Sequence, residues 1–431
     1  MSDRPIQGVD VLIDSLDYNQ KCCGLSGNVA QLILHLKGTF SRQDFEERIN
    51  KWIDIEPALR FRLKRTLLKK SFWQYLDSPI KPNIFWHENN DFINILDKRI
   101  NTPISPSSPP LISIDIIRGD SKTLVSITWH QLLADIRGGE LIITRLKDPK
   151  PITANLWYKK KSKSFLKNIR HAQSIHPCIK NIGKANITIP CAISLDHPPF
   201  LRGKYLQFAK EQSQKIRGIG KRIHPLFGET ALLASIIIKQ MFNVLESNTS
   251  DNTGYLIPIP INLRAPGAKE PLLGNLMTFA FVYIDFKQIQ NSNLLQLARI
   301  IGSKIVEQIS YNNQEGIHAA FNLAQNLPRK LHHWFFKKTL QGKLASFLFS
   351  NTGLCHISDV PGQQTNFLGC PVTACFQRQM VTYPPGIGFF FLTYACKLHL
   401  SLCWVEDAFK KESIDVLLTS IKEKVNSVSE H

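Results

Sequence analysis

The sequence has 431 residues with 43% hydrophobic and 10% aromatic content, which excludes a disordered chain and predicts two folded domains of about 200 residues each. Its formal net charge of +19 predicts attraction to polyanions such as nucleic acid, anionic lipid or a phosphorylated co-substrate. The nine cysteines form no CxxC pair, so we expect no zinc site. The sequence shows neither an apolar leader nor a run of about 18 apolar residues, so we expect a cytoplasmic protein.

The first predicted elements are a strand and a capped helix. In QLILHLKG, residues 31–38, the leucines alternate with other residues and share one face of a strand. Ser41, followed three residues later by Asp44, marks the start of a helix. The apolar face of this helix recurs at helical spacing: Phe45, Ile49, Trp52 and Ile53.

A turn, a further strand and a hairpin complete the first half. EPALRFRL, residues 56–63, reads as a turn that enters a strand. Isoleucines alternate with polar residues in the next strand, and Gly119-Asp120 supplies a hairpin turn. The returning strand carries its apolar residues on one face and delivers His130 to its C-terminal end.

The composition changes between residues 146 and 203, which are rich in proline and lysine. We interpret 151–184 as a basic crossover that separates an N-terminal domain, 1–150, from a C-terminal domain, 185–431. The second domain again mixes helices and strands. It is predicted to contain a helix starting near Glu229 or Thr230, strands in GYLIPIPIN and GNLMTFAFVYIDF, helices over 292–310 and 317–343, strands within 345–404, and a terminal helix over 407–425.

The stretch ITWHQLLADIRGGE, residues 127–140, together with the order of these elements, resembles the condensation-domain superfamily of acyltransferases. This superfamily includes the peptide-synthetase condensation domains, the BAHD enzymes and the wax ester synthase/diacylglycerol acyltransferases, and its motif is HHxxxDG. An ungapped match places His130, Gln131 and Asp135 on the two histidines and the aspartate, with Ile136 at the glycine position. Four other segments resemble family blocks in the same order: EPALRFRL, TPISP, INLRAPG with GNLMTF, and SNTG with SDVPG.

The resemblance implies an α/β (α+β) fold of two pseudo-symmetric lobes of the chloramphenicol-acetyltransferase type, each a mixed sheet covered by helices. A tunnel runs between the lobes. An acyl thioester enters from one side and the acceptor from the other, and the loop at 127–139 lies midway. Acyl-CoA or an acyl-carrier thioester serves as co-substrate, and no permanently bound cofactor or metal is expected.

The resemblance also assigns the site residues. The second motif histidine is the family's general base, and Gln131 stands there, although a carboxamide does not titrate near neutral pH. His130 takes the structural position, and Asp135 is expected to form an ion pair with Arg264. The expected substrate-binding residues are Gly138, Gly139, Asn275, Ser350 and Asn351, of which the last two would donate hydrogen bonds to the developing oxyanion.

An alternative register aligns Trp129 and His130 with the two histidines and makes His130 the base. We favour the ungapped register, because a slip of one residue turns a strand residue to the opposite face. His332-His333 is not a second copy of the motif, since no aspartate follows at the required spacing and the pair lies in a basic helix.

Three functions follow as hypotheses. The first is an acyltransferase that uses a hydroxyl or amine acceptor of lipidic character. The second is an inactive relative that serves as a scaffold for an acyl chain, a carrier protein or a partner enzyme. The third is a polyanion-binding protein, but no nucleic-acid-binding module is recognisable and no nucleic acid is expected.

Two basic segments with interleaved aromatic residues, 156–171 and 327–349, bear on localisation. In the second, Trp334, Phe335, Phe336 and Leu340 fall near lysines that can snorkel. The pattern is typical of a helix lying on an anionic membrane surface and equally of an amphipathic helix packed on its own domain. The first interpretation implies a cytoplasmic protein that associates peripherally with the inner face of the membrane.

Overall fold

The computed structural model describes residues 3–6, 8–65, 71–88, 91–150, 165–174, 186–191, 195–245, 253–264, 273–310, 313–325, 327, 330–332, 334, 345–358, 360 and 362–428. Its helices are α1 (Val9–Cys22), α2 (Arg42–Ile55), α3 (Phe92–Ile100), α4 (Ile136–Lys147), α5 (Phe165–Ser174), α6 (Lys210–Ile223), α7 (Gly228–Leu245), α8 (Phe286–Asn291), α9 (Leu294–Ser310), α10 (Asn313–Ala324) and α11 (Lys411–Val428). A short 3₁₀ helix spans Pro57–Arg60.

The strands form four sheets. They are β1 (Arg4–Pro5), β2 (Val29–Lys37), β3 (Phe61–Lys64), β4 (Phe72–Tyr75), β5 (Asn83–Glu88), β6 (Ile112–Arg118), β7 (Lys122–His130), β8 (Asn186–Ile187), β9 (Leu201–Gln207), β10 (Thr253–Asn262), β11 (Met277–Asp285), β12 (Leu348–Leu354), β13 (Asn366–Phe367), β14 (Cys370–Gln379), β15 (Ile387–Tyr394) and β16 (Lys397–Val405). The strand orders are β13-β14-β2-β7-β6-β5, β12-β15-β16-β9, β11-β10-β8 and β1-β4-β3.

Local sequence signals correctly predict β2, α2, the turn into β3 and the β6–β7 hairpin, whereas α1, β4, β5 and α3 were not predicted. The hydroxyl of Ser41 accepts a hydrogen bond from the Asp44 N–H at 2.9 Å and caps α2, whose predicted apolar face is buried. The β6–β7 hairpin forms in the predicted place, and β7 ends at His130. The motif residues therefore follow directly on a central strand of the six-stranded sheet, which is buried from Thr123 to His130.

The largest sheet is shared between the two halves of the chain. β14 lies in the C-terminal half, yet it pairs with β2 in antiparallel register from Val372 opposite Leu36 to Gln379 opposite Ala30. A division of the chain at residue 185 therefore does not describe β13 and β14, because their backbone hydrogen bonds complete the N-terminal sheet. Within the predicted crossover, the structure describes the helix α5; residues 151–164 and 175–184 lie outside the described part.

The helix expected over 317–343 is wrong as a single element. α10 ends at Ala324, and the Leu327 N–H bonds back to the Ala324 carbonyl in a turn. Residues 330–332 and 334 are helical again. The sequence places Pro328 at this break, and a proline disfavours helical conformation in the residue before it.

Candidate active site

A cavity of about 690 Å³ lies where elements of both lobes converge. α1 and the loop after β7 form one part of its wall, and β10, β11, β12 and α10 form much of the remainder. Most of the lining is apolar and includes Ile13, Leu256, Phe279, Phe281, Ile317 and Phe321. Little of the lining surface is polar, so the polar groups that reach it are informative about chemistry.

His130 is held inside the protein by both ring nitrogens. Nδ1 accepts a hydrogen bond from the Leu132 N–H at 3.1 Å, so Nε2 carries the proton of the neutral ring and donates it to Asp17 at 3.0 Å. Burial alone would raise the pKa of the Asp17 carboxyl, but the hydrogen bond of His130 and the ammonium of Lys21 outweigh burial and hold that pKa below its usual value. His130 is 0% exposed, so its side chain does not reach the cavity. Its hydrogen bonds to Asp17 and Leu132 instead stabilise the motif loop.

Gln131 faces the cavity. Its backbone N–H donates to the Asn28 carbonyl at 2.9 Å, and its side-chain Nε2 donates to Oε1 of Gln379, at the end of β14, at 2.8 Å. This hydrogen bond thus connects the motif loop to β14, a strand of the second half of the chain. This placement agrees with the ungapped register, since Gln131 lines the cavity and His130 is buried behind it.

Asp135 forms the predicted ion pair with Arg264. The guanidinium Nη1 and Nη2 donate to Oδ2 and Oδ1 at 2.8 and 2.9 Å, a two-pronged contact between side chains that are 12% and 8% exposed. The Gly138 N–H donates to Oδ1 at 2.9 Å, which caps α4, and the Leu276 N–H donates to Oδ2 at 3.0 Å. This carboxylate therefore joins the motif loop to Arg264 and Leu276, which lie between β10 and β11 in the sequence.

The glycine pair and Asn275 support the loop. A Cβ atom on Gly139 would lie 2.3 Å from the indole of Trp129, and one on Gly138 would lie 2.7 Å from Cβ of Ala134. The Asn275 side-chain nitrogen lies 3.0 and 3.1 Å from the carbonyls of Gln131 and Leu132 and 3.0 Å from Asp10 Oδ1. In the described structure, these residues contact protein groups and do not line the cavity, and their part in substrate binding stays a prediction.

β12 brings Ser350 and Asn351 to the cavity, as expected for groups near the reacting carbonyl. The Asn351 amide is already engaged, because it donates to Thr230 Oγ1 at 3.2 Å and accepts from the Gly353 N–H at 3.1 Å. Arg137 joins this strand to α4, since its guanidinium donates to Glu140 at 2.7 Å and to the Leu354 carbonyl at 2.6 Å.

Sequence reasoning did not identify Asp17, Gln379, Ser15 or His332 as parts of this site. Ser15 Oγ lies 2.8 Å from Nδ1 of His332, and both residues line the cavity. Ser15 stands in an amphipathic helix and His332 in a basic segment, so neither carries a local motif; only the tertiary contact reveals the pair. The only sequence signal for Gln379 was that a polar residue follows a largely apolar strand segment.

The basic segment that follows α10 reaches the rim of the cavity. Leu327, Leu331 and Trp334 line it and are 47%, 41% and 53% exposed. Phe335, Phe336 and Leu340, as well as residues 156–164, lie outside the described part. Taken singly, the described helices are all too short or too polar to cross a bilayer, although α6 and α7, bent by 108°, meet the length and composition criterion as a pair.

Comparison with known proteins shows similarity at the level of structure. The sequence matches no protein-family model. It also has no significant match among curated proteins.

Three solved structures share the architecture over nearly their full lengths. The trichothecene 15-O-acetyltransferase TRI3 from Fusarium sporotrichioides has a TM-score of 0.70 at 12% identity, covering 99% of this chain and 95% of its own. The first condensation domain of the calcium-dependent antibiotic synthetase, in complex with a substrate analogue, has a TM-score of 0.69 at 9% identity, covering 100% and 98%. The starter condensation domain of rhizomide synthetase, in complex with C8-CoA and Leu-SNAC, has a TM-score of 0.65 at 10% identity, covering 100% and 95%.

The chain thus has the fold of condensation domains and of this acetyltransferase, and the predicted α/β architecture is confirmed. Identities this low establish the fold alone. The activity has to be argued from the cavity and its polar groups.

Proposed function

We propose that this chain is an acyltransferase, which moves an acyl group from acyl-CoA or an acyl-carrier thioester to a hydroxyl or amine acceptor of lipidic character. The observation that carries the proposal is the apolar cavity of about 690 Å³ with Gln131 in its wall. Apolar clefts with a few convergent polar groups are the usual sites for hydrophobic ligands. Arg264 and Asp135 hold the loop that presents Gln131 to this space.

Positioning is the main contribution that this loop can make. A general base contributes about 10²–10⁴-fold, or roughly 3–5 kcal/mol. Holding two substrates in a dry cavity can contribute about 7–11 kcal/mol, which exceeds the loss of a base. The Gln131 amide can orient an acceptor or a carbonyl oxygen without exchanging a proton. An amine acceptor in its free-base form depends least on the missing histidine, and an alcohol depends most.

The test is a panel of acyl-CoA thioesters of increasing chain length, incubated with the full chain and a mixed set of hydroxyl and amine acceptors. Mass spectrometry then identifies acylated products. Ala320 lines the cavity, so Ala320→Trp should fill the space and abolish transfer. Val416 lies on α11 and is 55% exposed, so Val416→Trp is the matched control and should react as the wild type does. Transfer that survives in Ala320→Trp would contradict the cavity as the site.

A non-catalytic scaffold is the second candidate. It is favoured by one observation, the hydrogen bond between Gln131 and Gln379, which joins two groups that do not titrate near neutral pH. A scaffold would bind acyl-CoA in calorimetry, would lose binding in Ala320→Trp, and would release no thiol with any acceptor. Thiol release that depends on an acceptor identifies the enzyme.

The exposed rim supports a proposal about localisation. Leu327, Leu331 and Trp334 are large apolar residues in a segment that the sequence makes basic. Contact of this rim with an anionic membrane would let a lipidic acceptor enter the cavity without crossing water.

A further inference from the structure

A serine and a histidine form a hydrogen-bonded pair in the wall of the cavity. Ser15 lies on α1, and its Oγ is 2.8 Å from Nδ1 of His332. The other ring nitrogen, Nε2, is 2.8 Å from the carbonyl oxygen of Ala324 at the end of α10. Ser15 is 2% exposed and His332 is 8% exposed, so the pair is shielded from bulk water.

The hydrogen bonds set the tautomer of the ring. A carbonyl oxygen only accepts, so Nε2 of His332 carries a proton and donates it to Ala324. In the neutral ring, Nδ1 is then the acceptor, and the Ser15 hydroxyl is the group that donates to it. Ser15 Oγ is also 2.7 Å from the Val11 carbonyl, so its single proton can rotate between the two acceptors. The Ser15 hydroxyl, the imidazole base and the Ala324 carbonyl that orients this base are thus connected by hydrogen bonds, as in activated nucleophiles.

The rest of the cavity makes this pair distinctive. Among the described lining residues, His332 is the one histidine, and cysteine, lysine and tyrosine are absent. The lining carboxylate, Asp135, is held by Arg264 and by two backbone N–H groups. Histidine is the side chain whose ordinary pKa allows proton exchange near neutral pH. In the described cavity, the capacity to move a proton therefore lies at this pair and not at the motif.

We propose that Ser15 is a nucleophile that accepts the acyl group covalently, with His332 as its base. This inference rests on the proposed function, because it requires an acyl thioester in the cavity. It assigns the proton-transfer role to two cavity-lining residues that lie outside the motif.

The reaction balances in two steps. Ser15 Oγ attacks the thioester carbonyl while its proton passes to Nδ1 of His332, the C–S bond breaks, and the leaving thiolate takes the proton from the imidazolium. The products are a free thiol and an acyl ester on Ser15. The acceptor hydroxyl or amine then attacks the ester carbonyl, His332 takes its proton, and that proton returns to Ser15 Oγ as the C–O bond to serine breaks.

The experiment uses the full-length protein with octanoyl-CoA and palmitoyl-CoA in the absence of acceptor. Thiol release is followed by a colorimetric thiol reagent, and rapidly quenched samples are analysed by intact-protein mass spectrometry and peptide mapping. We expect one acyl group on Ser15, no adduct in Ser15→Ala, and acylation slowed about 10²–10⁴-fold in His332→Gln. Ser26 is also buried and bonds the Ile100 carbonyl, so Ser26→Ala is the matched control and should acylate as the wild type does.

A fluorophosphonate, which reacts with activated serines, provides a second measurement on the wild-type protein. Labelling of Ser15 that is lost in His332→Gln supports an activated hydroxyl whatever the natural donor is. Thiol release and acceptor acylation that are equal in wild type and Ser15→Ala, with no adduct, would overturn the covalent step and leave the proposed function standing. Absence of both the acyl adduct and the phosphonate label from folded wild-type protein would overturn the pair as a nucleophile and base.

Discussion

The two polar walls of the cavity differ in whether their hydrogen bonds leave a proton free to move. On the motif wall, both ring nitrogens of His130 are bonded and Asp135 accepts from Arg264 and two backbone N–H groups. On the helix wall, formed by Ser15 and His332, a single hydroxyl proton is shared between two acceptors. The motif wall is therefore built to hold its shape, and the helix wall is built so that a proton can move. The contacts that hold a motif loop in place can therefore be kept while a different group performs the proton transfer.

The largest expected effect concerns the ion pair on the motif wall. Asp135→Asn leaves Arg264 without its charge partner in a site where both side chains are mostly buried. Breaking such a pair costs about 3–5 kcal/mol, so the free energy of unfolding in urea should fall by that amount. The control is Asp148→Asn, because Asp148 is 47% exposed beside Lys150 and should change stability by less than about 1 kcal/mol. Equal unfolding curves for wild type and Asp135→Asn would mean that the pair does not hold the motif wall.

The pH dependence of stability comes next, and it must be measured before any pH–rate profile is assigned to the helix wall. His35 and His399 flank the Phe376 ring, with centroid distances of 5.2 and 4.9 Å. Burial lowers the pKa of His35 to about 4, with Lys122 adding to the effect. Burial likewise lowers the pKa of His399 to about 3.

A depressed folded-state pKa means that the unfolded chain binds these protons more readily. The stability is therefore complete above about pH 6.5 and is lost as the pH falls toward the folded values. We expect His399 alone to contribute a loss of about 3 kcal/mol between pH 7 and pH 4. Urea unfolding at several pH values measures this loss, and His399→Phe should flatten the curve. A curve with the same slope in that variant would contradict the assignment.

Gln131→His tests whether the motif wall has kept a pocket for a base. The loop that carries Gln131 is held by Asn275 and Asp135, so a histidine at this position should point into the same space. We expect acyl transfer to hydroxyl acceptors, or hydrolysis of the thioester, to rise on the order of 10²-fold with little change in melting temperature.

His130→Ala distinguishes the two registers. The ungapped register predicts a modest loss of activity together with a loss of stability, because Asp17 loses its hydrogen bond. Turnover that is abolished in folded His130→Ala, together with a slower Gln131→His, would instead identify His130 as the base.

The smallest expected effect is at the rim beside the helix wall. The protein should sediment with anionic liposomes and dissociate at high salt. Trp334→Ala should weaken this association by about 1 kcal/mol, or roughly fivefold, because Trp334 is 53% exposed. Val416→Ala, at a residue that is 55% exposed on α11, should bind as the wild type does. Absence of sedimentation would remove the membrane proposal, and equal binding to neutral vesicles would remove its electrostatic part.

Local patterns predicted what depends on neighbours in the chain. Ser41 with Asp44 gave the cap of α2, and the Gly119-Asp120 turn gave the β6–β7 hairpin. The pair of Asp135 and Arg264 was predicted only because a family motif linked positions far apart in the sequence. The pair of Ser15 and His332 has no such motif, and 317 positions separate its members. A contact of this kind is created by packing, and no periodicity or spacing in the sequence encodes it.

The shared sheet has a practical consequence for dissecting the protein. β2 forms hydrogen bonds with β7 on one side and with β14 on the other. A fragment that ends near residue 185 would lack β14 and leave the whole of that edge of β2 unpaired and hydrophobic, which is a template for aggregation. Neither half is expected to be soluble when expressed alone, whereas two co-expressed halves have a strand through which to reassemble. The chain is thus a candidate for a split reporter whose association restores one sheet and, with Gln379, one side of the motif wall.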